Sequence, residues 1–188
     1  MKVVSILGSP RKKGNTAAVL GWVEEELKRL GHDVERIDAA ALSVKGCLGC
    51  YTCQKKLDEP GCVQKDDALK IFDKMIRADA VVYSSPLYCW SWSGQIKPLI
   101  DRHFCLVKNA YADGWTSLIE GKKAALVTTS AGGLENNAEL LIKAYENLMT
   151  YCKCRPAGVL HVGFAQTPKE LHDDVKKEAA QLARDIGG

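Results

Sequence analysis

Short apolar runs alternate with longer amphipathic stretches along the whole chain. Residues 2–7, 34–37, 80–84, 123–129 and 158–163 have the length and β-branched content of strands. Between and after them, apolar residues recur at helical spacing: Leu20, Val23, Leu27 and Leu30, then Leu69, Phe72 and Ile76, then Leu141, Ala144 and Leu148. Leu171, Val175, Ala179, Leu182 and Ile186 form a last such face. The first, third and fourth strands are nearly continuous apolar runs, the pattern of central parallel strands covered on both faces. The expected architecture is an α/β, doubly wound parallel sheet of five strands in the order 2-1-3-4-5, with helices on both faces. In such a sheet ligands bind beyond the carboxyl ends of the strands where the order reverses. Function is therefore sought in residues 8–16, 85–95 and 130–136.

Composition narrows the class. The 188 residues, 46% hydrophobic and 26% charged, fit one domain over 1–188, with a cysteine-rich excursion at 38–65. A net charge of +3 without a basic run argues against a nucleic-acid partner. No apolar stretch approaches a membrane span of roughly 20 residues, and Met1 leads into a strand without a signal-peptide pattern, so no membrane partner and a cytoplasmic location are expected.

The first loop reads GSPRKKGNT. A strand-to-helix turn presents free backbone amides and a partial positive charge, which suit a phosphate. Gly8 and Gly14 allow close approach, and Ser9, Asn15 and Thr16 add side-chain donors beside Arg11, Lys12 and Lys13. Five residues separate the glycines and Asn15 stands where a triphosphatase loop has lysine, so that motif is excluded, as is G-x-G-x-x-G. A phosphate site and a capped helix with a basic turn both satisfy these residues. The second loop, SSPLYCWSWSGQIKP at 84–98, brings Tyr88, Trp90 and Trp92 to the same edge. The third, TTSAGGLEN at 128–136, offers small residues with free amides. Together they would hold a phosphate at one end and a planar ring at the other, the shape of flavin mononucleotide (FMN).

With GSPRKKGNT, GCLGCYTC followed by CVQKDD, and SSPLYCWSWSGQIKPLIDR, the chain resembles the flavodoxin-like NADPH-dependent FMN reductase superfamily, including its iron-sulfur flavoprotein branch. The resemblance implies that Ser9, Arg11, Asn15 and Thr16 hold the FMN phosphate. It implies too that Pro86, Leu87, Tyr88, Cys89 and Trp90 line the isoalloxazine, and that the Ser130–Gly133 turn, with Ser130, Gly132 and Gly133, is the third flavin-contacting loop.

Cys47, Cys50, Cys53 and Cys62 form C-x2-C-x2-C-x8-C. Such a loop suits a [4Fe-4S] cluster, zinc, or free redox-active thiols. The final spacing is longer than the iron-sulfur branch usually has, and the favoured expectation is a loop without metal. Cys105 reads as a core residue, and Cys152-x-Cys154 is a weak redox signal. Asp66 and Asp67 read as helix-capping groups, and His103 and His161 have no evident partner in the sequence. No residue is assigned a catalytic role.

The resemblance therefore implies an FMN-dependent oxidoreductase passing reducing equivalents from NAD(P)H to a flavin, quinone or other small acceptor, assembled as a homodimer or homotetramer. The alternatives are an iron-sulfur flavoprotein or flavodoxin-like carrier exchanging electrons with protein partners, and a redox-sensing flavoprotein.

Overall fold

The computed structural model describes residues 1–188. In chain order its strands are β1 (Lys2–Leu7), β2 (Asp33–Asp38), β3 (Ala80–Pro86), β4 (Val107–Lys108), β5 (Thr116–Ser117), β6 (Lys123–Thr129) and β7 (Arg155–Val162). The α-helices are α1 (Asn15–Arg29), α2 (Asp67–Arg77), α3 (Lys97–Asp101), α4 (Glu139–Tyr151) and α5 (Asp173–Gly187). Five strands form one parallel sheet in the order β2-β1-β3-β6-β7. This is the expected flavodoxin-like 2-1-3-4-5 order, with the antiparallel ribbon β4–β5 interposed before the fourth sheet strand.

The side-chain alternation of β1 divides the core in two. Val4 and Ile6 face the cluster built with Ile71, Phe72 and Met75 of α2 and Leu141, Tyr145 and Met149 of α4. Val3 and Leu7 face the opposite cluster, which includes Val19, Leu20, Val23 and Leu27 of α1 and Leu182 and Ile186 of α5. All seven residues of β3 are buried, as a strand covered on both faces requires. The edge strand β7 starts earlier than its apolar pattern predicts, at Arg155, because Pro156 is tolerated on a sheet edge. Strand β3 runs two residues further than predicted, to Pro86, pairing with Thr129.

Hydrogen bonds of Gly8 fix where β1 ends. Its amide donates to Ser84 O at 2.7 Å, and its own carbonyl accepts from Ser93 Oγ. A Cβ at this position would stand 2.6 Å from Ser84 O and 2.9 Å from Ile96 Cγ2, so only glycine permits the approach. No helix is long and apolar enough to cross a membrane.

His103, without a partner in the sequence, acquires two in the fold. It lies in the 3-10 turn Arg102–Cys105 that continues α3, with Nδ1 2.9 Å from Leu99 O and Nε2 2.9 Å from Tyr83 Oη. A carbonyl only accepts, so Nδ1 carries the proton and Nε2 receives the Tyr83 hydroxyl. Burial lowers its pKa from 6.5 to about 4. Between those values the unfolded chain binds a proton that the native chain refuses, so stability falls as pH drops through that window. The loss should reach roughly 3 kcal/mol for the full shift. Denaturant unfolding at pH 7 and pH 4 should show His103→Gln losing less stability than wild type by about that amount; equal losses would refute the assignment.

Candidate functional site

The carboxyl ends of β1, β3, β6 and β7 open onto a crevice of about 460 Å³. From the first loop it is lined by Ser9, Arg11, Gly14, Asn15 and Thr16. Ser9 Oγ accepts the Arg11 amide at 3.1 Å and closes the turn. Helix α1 starts at Asn15, and its N-cap Gly14 contributes no side-chain cap. Neither Asn15 nor Thr16 caps it: Asn15 Nδ2 donates to Ala165 O at 2.6 Å, and Thr16 Oγ1 lies 2.7 Å from Thr129 Oγ1. The amides of Asn15, Thr16 and Ala17 have no acceptor in the chain, and the first turn holds no acidic residue. Asn15 Oδ1 is also buried without a partner. Lys12 pairs with Asp38 at 3.8 Å, whereas Arg11 and Lys13 have no carboxylate partner. Unmatched donors and positive charge thus converge on the crevice, an arrangement that attracts an anion.

Pro86, Leu87 and Tyr88 form the adjoining wall. The Leu87 amide donates to Thr129 O at 2.8 Å, tying this loop to β6. Tyr88 and Ser91 exchange backbone hydrogen bonds of 3.1 and 3.0 Å, with Cys89 and Trp90 both at positive φ (47° and 58°). Two successive left-handed residues make a type I′ turn, a conformation that non-glycine residues adopt at a cost of order 1–3 kcal/mol each. Cys89 and Trp90 stand exposed on this turn, outside the crevice lining. Trp92, expected at the same edge, is instead buried between Tyr83 and Tyr145 at ring distances of 6.3 and 6.5 Å. Its apolar area is satisfied by the core, which no reading of loop composition reveals.

On the third loop Ser130 and Ala131 line the crevice, while Gly132 and Gly133 pack beneath Asn137 and Phe164. Ser130 Oγ donates to Gly132 O at 2.7 Å and accepts from Asn137 Nδ2 at 3.2 Å. His161 Nε2 lies 2.7 Å from the same oxygen; with the serine proton given to the carbonyl, the imidazole is the donor. Burial lowers the His161 pKa, favouring the neutral ring. The sequence offered this histidine no partner because adjacent strands supply it.

Phe164, Ala165 and Gln166, which follow β7, complete the lining and were missed in the sequence. The general rule that every strand of a parallel sheet delivers its following loop to one edge would have found them.

A second cavity, of about 280 Å³, gathers the cysteine excursion. Cys47, Cys50, Cys53 and Cys62 all line it, walled by Tyr51, Phe104 and Tyr111. Cys105, expected in the core, is buried but also borders this cavity. Every cysteine is a free thiol, and no three ligands stand close enough to hold a metal ion. Hydrogen bonds from the Thr52 amide and hydroxyl lower the Cys50 pKa. Burial raises that of Cys53, and pushes Cys105 up to about 12. Asp66 caps α2 through the Ala68 amide at 3.2 Å; Asp67 Oδ2 instead accepts the Ser43 amide at 2.9 Å.

The sequence profile of the NADPH-dependent FMN reductase family matches residues 1–165. An iron-sulfur flavoprotein of Archaeoglobus fulgidus is 32% identical over 186 residues, 99% of this chain and 79% of that protein. Among solved structures, an azoreductase from Bacillus anthracis str. Sterne superimposes with a TM-score of 0.76 at 17% identity, covering 97% of this chain and 98% of that one. An FMN-dependent NADH-azoreductase of Bacillus anthracis str. Ames Ancestor, solved in complex with FMN, gives 0.72 at 15% identity over the full length of both chains. The matched span contains the first three crevice loops and the cysteine excursion, and the chain belongs to the NADPH-dependent FMN reductase family.

Proposed function

We propose that the chain binds FMN in the β1/β3 crevice and works as an oxidoreductase that takes reducing equivalents from NAD(P)H and passes them to a flavin, quinone or other small acceptor. The observation that carries this is the first loop: unmatched helix amides and an Arg11 without a carboxylate partner line the same crevice as Pro86, Leu87 and Tyr88. Ser9, Arg11, Asn15 and Thr16 hold the phosphate. Pro86, Leu87 and Tyr88 flank the ring, with Cys89 and Trp90 at its outer margin. Ser130, backed by Gly132 and Gly133, supports the ring from the β6 side. When bound, FMN supplies hydride acceptance and onward electron transfer. The chain's residues position it and control access, and none is assigned as an acid or base. The exposed Trp90, Tyr88 and Phe164 around the opening suit either a flat acceptor or a second subunit; the reading includes a homodimer or homotetramer, checked by sedimentation mass.

A second reading, an iron-sulfur flavoprotein that passes electrons on to protein partners, is favoured by one observation: all four cysteines of the motif line one cavity. A four-thiolate donor set has the chemistry of a [4Fe-4S] site, but no three of these sulfurs stand close enough together to hold a metal ion, so Cys47, Cys50, Cys53 and Cys62 would hold one only if the loop closed further. Such a cluster adds a one-electron centre to the flavin. Acid-labile sulfide and iron in anaerobically purified protein support this reading, and absence of both removes it.

Two outcomes test the leading reading. Asn15→Ala/Thr16→Ala should weaken FMN binding by roughly 10- to 100-fold, given about 1.5–3 kcal/mol for a hydrogen bond to a charged group. Fluorescence titration measures this, and an unchanged Kd argues against the phosphate assignment. Stopped-flow mixing of the FMN-loaded protein with NADPH or NADH should bleach the flavin at a rate that sustains turnover. Bleaching too slow with both nucleotides excludes the reductase.

A further inference from the structure

The third crevice loop, Ser130–Gly133, has its acceptors tied and its donors open. Ser130 O accepts the Phe164 amide at 3.2 Å, Gly132 O accepts the Ser130 hydroxyl at 2.7 Å, and Gly133 O accepts Asn137 Nδ2 at 2.8 Å. The amides of Ala131, Gly132 and Gly133 have no acceptor in the chain. Three successive backbone donors are thus left free in a loop whose Ser130 and Ala131 line the crevice. Free amides in succession favour negative charge, as those of a helix start do.

One hydroxyl organises this asymmetry. Ser130 Oγ donates to Gly132 O and accepts from Asn137 Nδ2 at 3.2 Å and from His161 Nε2 at 2.7 Å. A serine hydroxyl has one proton and two lone pairs, so two incoming donors commit its proton to the carbonyl. Asn137 comes from the turn before α4 and His161 from β7, so neither belongs to the loop it holds. Strand alternation sends Leu160 and Val162 into the α1 and α5 cluster and His161 to the other face of the sheet. A Cβ on Gly163 would stand 2.4 Å from Gly132 O and 3.4 Å from His161 Cε1, so carbonyl and imidazole close together over bare backbone.

We propose that His161 is a positioning residue of the flavin site: through Ser130 it fixes the third loop with its carbonyls tied and its amides open, and so raises the reduction potential of the bound flavin. This rests on the FMN reading given above. Reduction adds negative charge to the flavin, and donors already in place stabilise that charge without rearranging as it forms. The effect runs through a hydrogen bond to Ser130, so a neutral imidazole suffices, and burial of His161 favours the neutral ring.

In the apoprotein at neutral pH, nitrogen NMR of the His161 ring should find its proton on Nε2; a proton on Nδ1 makes Nε2 an acceptor and overturns the proposal. With FMN bound, redox titration reads the flavin potential. His161→Leu removes the donor at similar volume and should weaken reduced FMN about tenfold more than oxidised FMN, a potential about 30 mV more negative for a two-electron couple. His161→Gln, whose amide can donate to Ser130 Oγ, should keep the wild-type potential. In a Ser130→Ala background His161→Leu should move the potential no further, because the hydroxyl it acts through is gone. A wild-type potential in His161→Leu, or an equal shift with and without the Ser130 hydroxyl, overturns the role of His161 and leaves the FMN reading standing. So does a His161→Gln potential well below wild type, which is read even where His161→Leu does not fold. Wild-type protein that takes up no FMN overturns both.

Discussion

The site depends on how closely β1 and β3 approach at the point where the strand order reverses. Gly8 stands against Ser84 O, its amide bonded there and its carbonyl held by Ser93 Oγ. The contact leaves no room for a side chain, so the first loop turns immediately and α1 starts with its amides over the sheet edge. Move Gly8 outward and the first loop would no longer meet the Pro86–Tyr88 wall. The unmatched donors of α1 are thereby left open at the crevice, where the phosphate of the proposed FMN would accept from them.

From that point one segment serves both cavities. Residues 84–108 leave β3, form the crevice wall at Pro86–Tyr88, insert Trp92 and Ile96 into the core, and arrive through α3 at Arg102, Cys105 and Lys108. Between the ends stand Tyr83, Trp92, Tyr145 and His103 in successive ring contacts of 5.6 to 6.5 Å. This buried packing lies between the crevice wall and the cysteine cavity and joins them through close-packed rings. The buried polar pairs along it, Tyr83 with His103 and Arg102 with Asp66, are each bonded at close range, with Arg102 Nε alone lacking an acceptor.

Much of the fold was legible because its signals are local. Strand runs, helical periodicity and a parallel-sheet composition led to the right strand order, with errors at element ends, at Trp92 and Asp67, and in the missed α3 and β4–β5 ribbon. Side-chain function was legible only where a loop follows a strand directly. The first loop and Pro86–Tyr88 are of this kind. Phe164 and Gln166 are too, yet their few residues carry no motif. The contacts of Arg102, Lys108 and His161 were not legible, because each is defined by a partner brought near by the sheet or by α3: Asp66 and Cys62, Cys53 O, and Ser130.

The sequence by itself determined the layered α/β architecture, the sheet edge to which the crevice loops are delivered and the donor types available there, since periodicity and turn chemistry act over a few residues. Tertiary structure alone decided which donors stay unmatched, which aromatics face the crevice and which the core, and that four cysteines spread over sixteen residues border one cavity under a buried guanidinium. Those outcomes depend on long-range packing, which has no local imprint in the chain.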